Sequence, residues 1–235
     1  MTNDNLINTA KEEAKYLTLL QYLNFTKLKV ILDHCLSVQG EIKSGQAFLE
    51  ENTDGSYDLV LSKDMEPSFK KQTFSELLIV SGISLFEKCC RDWFKWGLKY
   101  NPKRIKPFNK KIDLIEIIES NNPKDAIIQK IIDEINFQNV QISNEKFKKV
   151  FGITIFENRE ERYALEKYIN HRHIISHNCG YIDFSYIKKT GRTEEHLDKI
   201  PSLTDNDLEN FTNLIYDIIT RIAIKTTLLI CKDIN

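Results

Sequence analysis

Glycine and proline are scarce in this 235-residue chain, at 8 and 5. Sandwich folds and open nucleotide-binding sheets need both residues at their turns and phosphate loops, so the shortage excludes those folds and leaves helix as the default. The five cysteines, at 35, 89, 90, 179 and 231, have no paired metal-ligand spacing. The adjacency of Cys89 and Cys90 suits neither a zinc knuckle nor a secreted disulfide framework, so the cysteines read as small apolar residues buried in a reducing compartment. Charge of one sign is also missing: 33 basic and 34 acidic side chains leave a formal charge of −1. That excludes the global positive field of a bulk nucleic-acid binder and leaves only local patches. No window reaches the roughly 18 uncharged apolar residues that span a membrane, and the opening MTNDNLINTAKEEAKY has no signal-peptide apolar core. A cytoplasmic protein with no membrane part is expected. Finally, the chain has no Gly-rich phosphate loop, no HExxH and no nucleophile elbow around a serine.

What remains is a series of amphipathic helical patterns. Residues 10 to 38 place Tyr16, Leu20, Tyr22, Leu23, Phe25, Leu28, Leu32 and Cys35 at the spacing of one long helix, with Asn24-Phe-Thr the point where it could break. Residues 40 to 66 change character. Gln46-Ala-Phe-Leu-Glu, Thr53-Asp-Gly-Ser and Tyr57-Asp-Leu-Val-Leu read as a small β-hairpin, with a surface loop as the rival. Residues 69 to 100 carry an aromatic stripe, Phe74, Phe86, Trp93 and Trp96 among it, that serves as core or subunit interface. Shorter helices are expected at 112–119, from Pro123 to about Phe137, and from Ser143, as N-cap, to Gly152. Residues 157 to 162 read as an acid- and arginine-rich loop, and 188 to 205 as a polar loop closed by Thr204 or Asp205. A long apolar helix runs from Asp207 to Cys231. With no repeat and no clean linker, residues 1–235 read as one all-α domain with an insertion at about 40–66.

Two stretches carry chemistry. The first is Asn101-Pro-Lys-Arg-Ile-Lys-Pro-Phe-Asn-Lys-Lys, which places Lys103, Arg104, Lys106, Lys110 and Lys111 around two prolines. It reads either as a solvated connector or as a strip contacting RNA phosphates without base specificity.

The second is Tyr168-Ile-Asn-His-Arg-His-Ile-Ile-Ser-His-Asn-Cys-Gly180, which holds three of the five histidines. At about 100° per residue, Leu165, Tyr168, Ile169, Ile175 and Cys179 share one side of a helix, with Arg172 near the middle of that arc. An arginine in an apolar seam demands a carboxylate, a dimer groove or an anion. His173 and His177 form a same-face i,i+4 pair, and Gly180 fits a helix stop with positive φ. A zinc site built on His171, His173 and His177 lacks a cysteine or carboxylate at a complementary helical position. Arginine and histidine at a helix end suit RNA cleavage instead. A histidine moves protons near neutrality, and a guanidinium holds phosphate with two aligned donors.

The segment from Tyr168 to Asp183 resembles the signature of the HEPN superfamily, in which an arginine and a following polar residue precede a histidine by a few positions. Here these are Arg172, His173 and His177, followed by Asn178-Cys-Gly180 and the hydrophobic stretch from Tyr181 to Tyr186. The resemblance covers about twenty contiguous residues. It implies a helical bundle that forms a homodimer, joining two motifs into one composite endoribonuclease site that needs no metal or other cofactor. Phosphate contact would fall to Arg172, acid or base chemistry to His177, and supporting polar roles to His173, Asn178 and Tyr181. Members of the family act as toxins, anti-phage effectors or RNA-processing enzymes beside an antitoxin or sensor protein. The chain departs from the commonest pattern in having His173 where asparagine often follows the arginine. The alternative is a non-catalytic helical module that binds RNA or a partner in a defence system.

Overall fold

The structure is a computed structural model and describes residues 3–37, 47–51, 57–61, 65–108, 117, 120–201 and 203–234. Its fold class is all-α. Among the described residues there are seven α-helices: α1 (Asn3–Ser37), α2 (Met65–Tyr100), α3 (Pro123–Asp133), α4 (Val140–Phe151), α5 (Arg159–Asn178), α6 (Phe184–Thr190) and α7 (Asp205–Ile234). Two short strands, β1 (Ala47–Glu51) and β2 (Tyr57–Leu61), pair antiparallel with Ala47 opposite Leu61 and Glu51 opposite Tyr57. The turn expected at residues 53–56 and all but one residue of the helix expected at 112–119 lie outside the described residues.

Helix boundaries follow cap chemistry more closely than hydrophobic periodicity. α1 is the one long helix expected and runs unbroken through Asn24-Phe-Thr, because Ala14, Gln21, Phe25, Leu28, Leu32 and Cys35 continue one buried face at helical spacing. α4 starts before the expected Ser143. Asn139 Oδ1 accepts the amide of Ile142 at 3.0 Å, while Ser143 is buried inside the helix with its hydroxyl donating to the Phe137 carbonyl. α3 stops at Asp133, short of Phe137, and Asn136 Oδ1 takes the amide of Gln138 in a local turn. The stretch read as a loop at 157–162 already contains the start of α5. Asn158 Oδ1 accepts the Glu161 amide at 2.7 Å, and Glu160 and Glu161 sit in a first turn that favours negative charge. Thr204 caps α7: its hydroxyl oxygen takes the Asp207 amide, and the Asp207 carboxylate takes the Thr204 amide in return.

The chain divides into two compact units. The first comprises residues 1–25, 84–166 and 214–235. Its centre is Phe94, whose ring meets Phe108, Phe137, Phe147 and Phe151 edge-on at centroid distances of 4.9 to 6.3 Å. Gly97 sits against the Phe151 ring so closely that a Cβ there would lie 2.7 Å from two ring carbons. Trp93 donates its indole N–H to Gln21 at 2.9 Å, and Arg221 joins the Ile155 carbonyl to the carboxylates of Glu157 and Glu161. The aromatic stripe of α2 is core: Phe86, Trp93 and Trp96 are all buried.

The second unit comprises residues 26–83 and 167–213. Its buried apolar residues include Leu28, Leu32, Leu78, Ile79, Ile83, Leu208 and Phe211, and the Phe211 ring packs on Tyr168 at 4.7 Å. A mostly buried Lys71 pairs with Asp205 at 2.7 Å beside the buried thiol of Cys35, which burial pushes up to about 11. Among the described residues no helix is long and apolar enough to cross a membrane.

Candidate functional site at the end of α5

The His-rich segment forms the last turns of α5 and lies in the second unit. The buried line along this helix is Leu165, Tyr168, His171 and Ile174, so the seam differs from the one a fixed helical wheel draws. Ile175 is only partly buried, Cys179 is exposed, and Arg172 is half-buried beside the seam, with His171 inside it. The cause lies in the segment after the helix. The chain turns at Gly180 and returns as α6, whose Tyr186 packs with Ile182 against Ile174 and draws the buried side round the helix.

His171 is therefore the buried histidine of the three. Its ring meets Tyr186 edge-on at 6.3 Å. Burial, with help from the positive charges of Arg192 and Lys167 and against the pull of Asp207, lowers its pKa to about 4. It is a neutral core residue at physiological pH. Tyr168 next to it donates its hydroxyl to the Asp207 carbonyl at 2.9 Å, and burial raises its own pKa to about 12. Burial works against the charge of Asp207 as well. The hydroxyl and amide of Thr204 and the ammonium of Lys167 outweigh it and hold the carboxyl below its ordinary value.

His173 and His177 lie on the opposite, exposed side, with ring centroids 4.6 Å apart. Just beyond them the helix closes through two left-handed residues, Cys179 at φ 49° and Gly180 at φ 84°. The Gly180 amide reaches back six positions to the Ile174 carbonyl at 3.0 Å, one residue further than the 6→1 bond that ends many helices. Asn178 holds the same turn twice. Its carbonyl accepts the Tyr181 amide, and its side-chain amide donates to the Tyr181 carbonyl at 2.7 Å. The geometry gives Asn178 a positioning role, while the Tyr181 ring is 45% exposed. A carboxylate overlooked in the motif's surroundings is Glu76 of α2: a Cβ at position 180 would stand 3.0 Å from its Oε1. No spacing within residues 168–183 signals that neighbour, because it arrives from a helix about a hundred positions earlier in the chain.

The basic strip divides. Lys103 and Lys106 are exposed, in the first unit. Arg104 has a structural position, with Nε and Nη2 on the Asp233 carboxylate at 2.8 and 2.6 Å and Nη1 on the Val150 carbonyl at 2.9 Å. Lys110 and Lys111 lie outside the described residues. Among the described residues, no group of three His, Cys, Asp or Glu side chains is placed to hold a metal ion.

In comparisons with known proteins, no family model, no curated protein and no solved structure matches the chain.

Proposed function

We propose that the protein is a metal-independent endoribonuclease of the HEPN kind, acting in the cytoplasm in phage defence or a toxin–antitoxin system. The observation that carries this reading is the pairing of His173 and His177 side by side on the exposed face of α5, with half-buried Arg172 adjacent and the helix end locked just beyond them.

In the proposed reaction one imidazole removes the proton of a ribose 2′-hydroxyl. That oxygen attacks the neighbouring phosphorus as the bond to the 5′-oxygen breaks, and a protonated group returns a proton to the leaving oxygen. His177 carries the acid or base role. Arg172, whose planar fork matches two phosphate oxygens, steadies the charge that grows on them. His173 stands near enough to supply or relay the second proton, and a second copy of the chain contributes the facing Arg172 and His177. Lys103 and Lys106 contact the RNA backbone, and an antitoxin or sensor protein controls the activity.

This chemistry requires the 2′-hydroxyl and leaves a 2′,3′-cyclic phosphate and a 5′-hydroxyl. The test is a single-stranded RNA that the protein cleaves, remade with 2′-deoxyribose at the cleaved position. Loss of cutting there, with cyclic phosphate ends on the unmodified product, is expected. Cleavage of the deoxy-substituted strand contradicts the mechanism.

A further inference from the structure

The first unit carries an apolar surface that its own fold does not cover. Between α1 and α7 runs a groove of about 460 Å³. Its floor is Phe25, Ile219 and Ala223, all buried, and its rims are Tyr22, Tyr216, Ile224 and Leu228. The rims stand well out: Tyr22 is 61% exposed and Leu228 67%. A second hollow of about 570 Å³ continues it past Thr18 and Thr227 to Leu19, with Lys11 and Lys15 at its edge.

Beside the groove, on the outer side of α1, Tyr16, Leu19 and Leu23 make an exposed apolar ridge at three- and four-residue spacing. The opposite face of the same helix, from Ala10 through Ala14 to Phe25, is already buried. α1 is thus apolar on two sides, and no charged residue occurs between Lys15 and Lys27. An ordinary surface helix has charged residues on its outer face.

From these features we infer that the α1–α7 face binds a second copy of the chain, the ridge of each protomer seated in the groove of the other. Three observations favour a like partner. A two-fold contact needs one patch to carry both a projection and its receptor, and this patch does. Among the described residues no charged side chain lines the 460 Å³ groove, and of the two lysines at the edge of the continuing hollow Lys15 is paired with Glu12, so the apolar centre of two identical surfaces meets without like-charge repulsion. The seven exposed ridge and rim side chains, at roughly 100 Å² each, offer on the order of 700 Å², close to the ~800 Å² that each partner of a stable complex contributes. The buried Gln21 also lines the groove, and its Nε2 finds no hydrogen-bond partner among the described residues. An occupant with an acceptor satisfies it, and the ridge carries one in the Tyr16 hydroxyl.

The inference is separable from the cleavage proposal, which needs a second copy but not this face: a dimer that cuts no RNA keeps this face and removes that reading, and an RNA-cutting dimer that changes on this face leave intact does the reverse. The test is sedimentation of the full chain at micromolar concentration beside a Leu19→Glu/Leu228→Glu variant, both positions being exposed enough to leave the fold intact. The expected result is twice the chain mass for the wild type and the single-chain mass for the variant, with unchanged helical circular dichroism. Leu23→Ser, a milder change at the ridge, covers the case in which the charged variant fails to fold and raises the dimer dissociation constant at least tenfold. A wild-type monomer overturns the inference and leaves the face to a different protein. A dimer that Leu23→Ser and the charged variant both leave intact overturns it too.

Discussion

The Gly180 amide hydrogen-bonds the Ile174 carbonyl at 3.0 Å, closing α5 three residues after His177. Gly180 holds φ 84°, and a side chain there meets Glu76. Gly180→Ala therefore strains the left-handed backbone and displaces the carboxylate, a loss of about 1–2 kcal/mol. Thermal unfolding checks it. Cys179→Gly, which relieves the same kind of strain at φ 49°, shifts the midpoint much less.

Gly97 lies inside α2, where replacement by alanine ordinarily stabilises a helix by about 1 kcal/mol. Here the new Cβ meets the Phe151 ring at 2.7 Å, and that ring is locked against Phe94 at 4.9 Å. Overpacking costs about 1–3 kcal/mol and outweighs the helix gain. Gly97→Ala lowers the unfolding midpoint, and the double variant Gly97→Ala/Phe151→Leu recovers part of the loss.

His171 makes stability depend on pH. Its folded pKa of about 4 lies below the ordinary 6.5, so between those values the unfolded chain binds a proton that the folded chain refuses. Stability is full above about pH 6.5 and falls as pH drops toward 4, by about 2 kcal/mol at pH 5. Denaturant titrations at pH 7 and pH 5 show the difference. In His171→Gln, much of that pH-dependent loss disappears.

Arg104 and its neighbours separate folding from RNA contact. Arg104→Ala breaks three hydrogen bonds to Asp233 and Val150 and destabilises the protein by about 1–2 kcal/mol, discounted for partial exposure. Lys103→Ala and Lys106→Ala leave the unfolding midpoint in place. On the proposed function each lowers the slope of log affinity against log salt by about 1. Fluorescence anisotropy on single-stranded RNA at several salt concentrations measures it.

The all-α class was legible because so few glycines and prolines interrupt so many apolar repeats. The long helices follow from periodicity alone, as the continuous buried face of α1 shows. What escaped the sequence is set by tertiary partners, whether the segment just after a helix or one distant along the chain. A wheel drawn on α5 centres on Arg172, but α6 folds back on Ile174 and moves the seam to His171. Local chemistry misled where two caps competed: Ser143 has the right side chain for a helix start, and Asn139, four residues earlier, takes the position. The pairing of His173 with His177 needed only i,i+4 spacing and was readable in the chain itself. The exposed ridge of α1 was visible as apolar residues, but which of its two apolar sides stays uncovered depends on α7, at the far end of the chain.

The proposed activity rests on Arg172 and His177, and the most direct measurement is cleavage of single-stranded RNA in EDTA by the wild type and by Arg172→Ala and His177→Ala. The wild type is expected to cut without metal, and each variant to lose at least about 100-fold in rate while keeping RNA binding and helical content. Variants that both cut as fast as the wild type contradict the site. A wild type that binds RNA and leaves it whole contradicts the enzyme and turns the protein into a helical binding module.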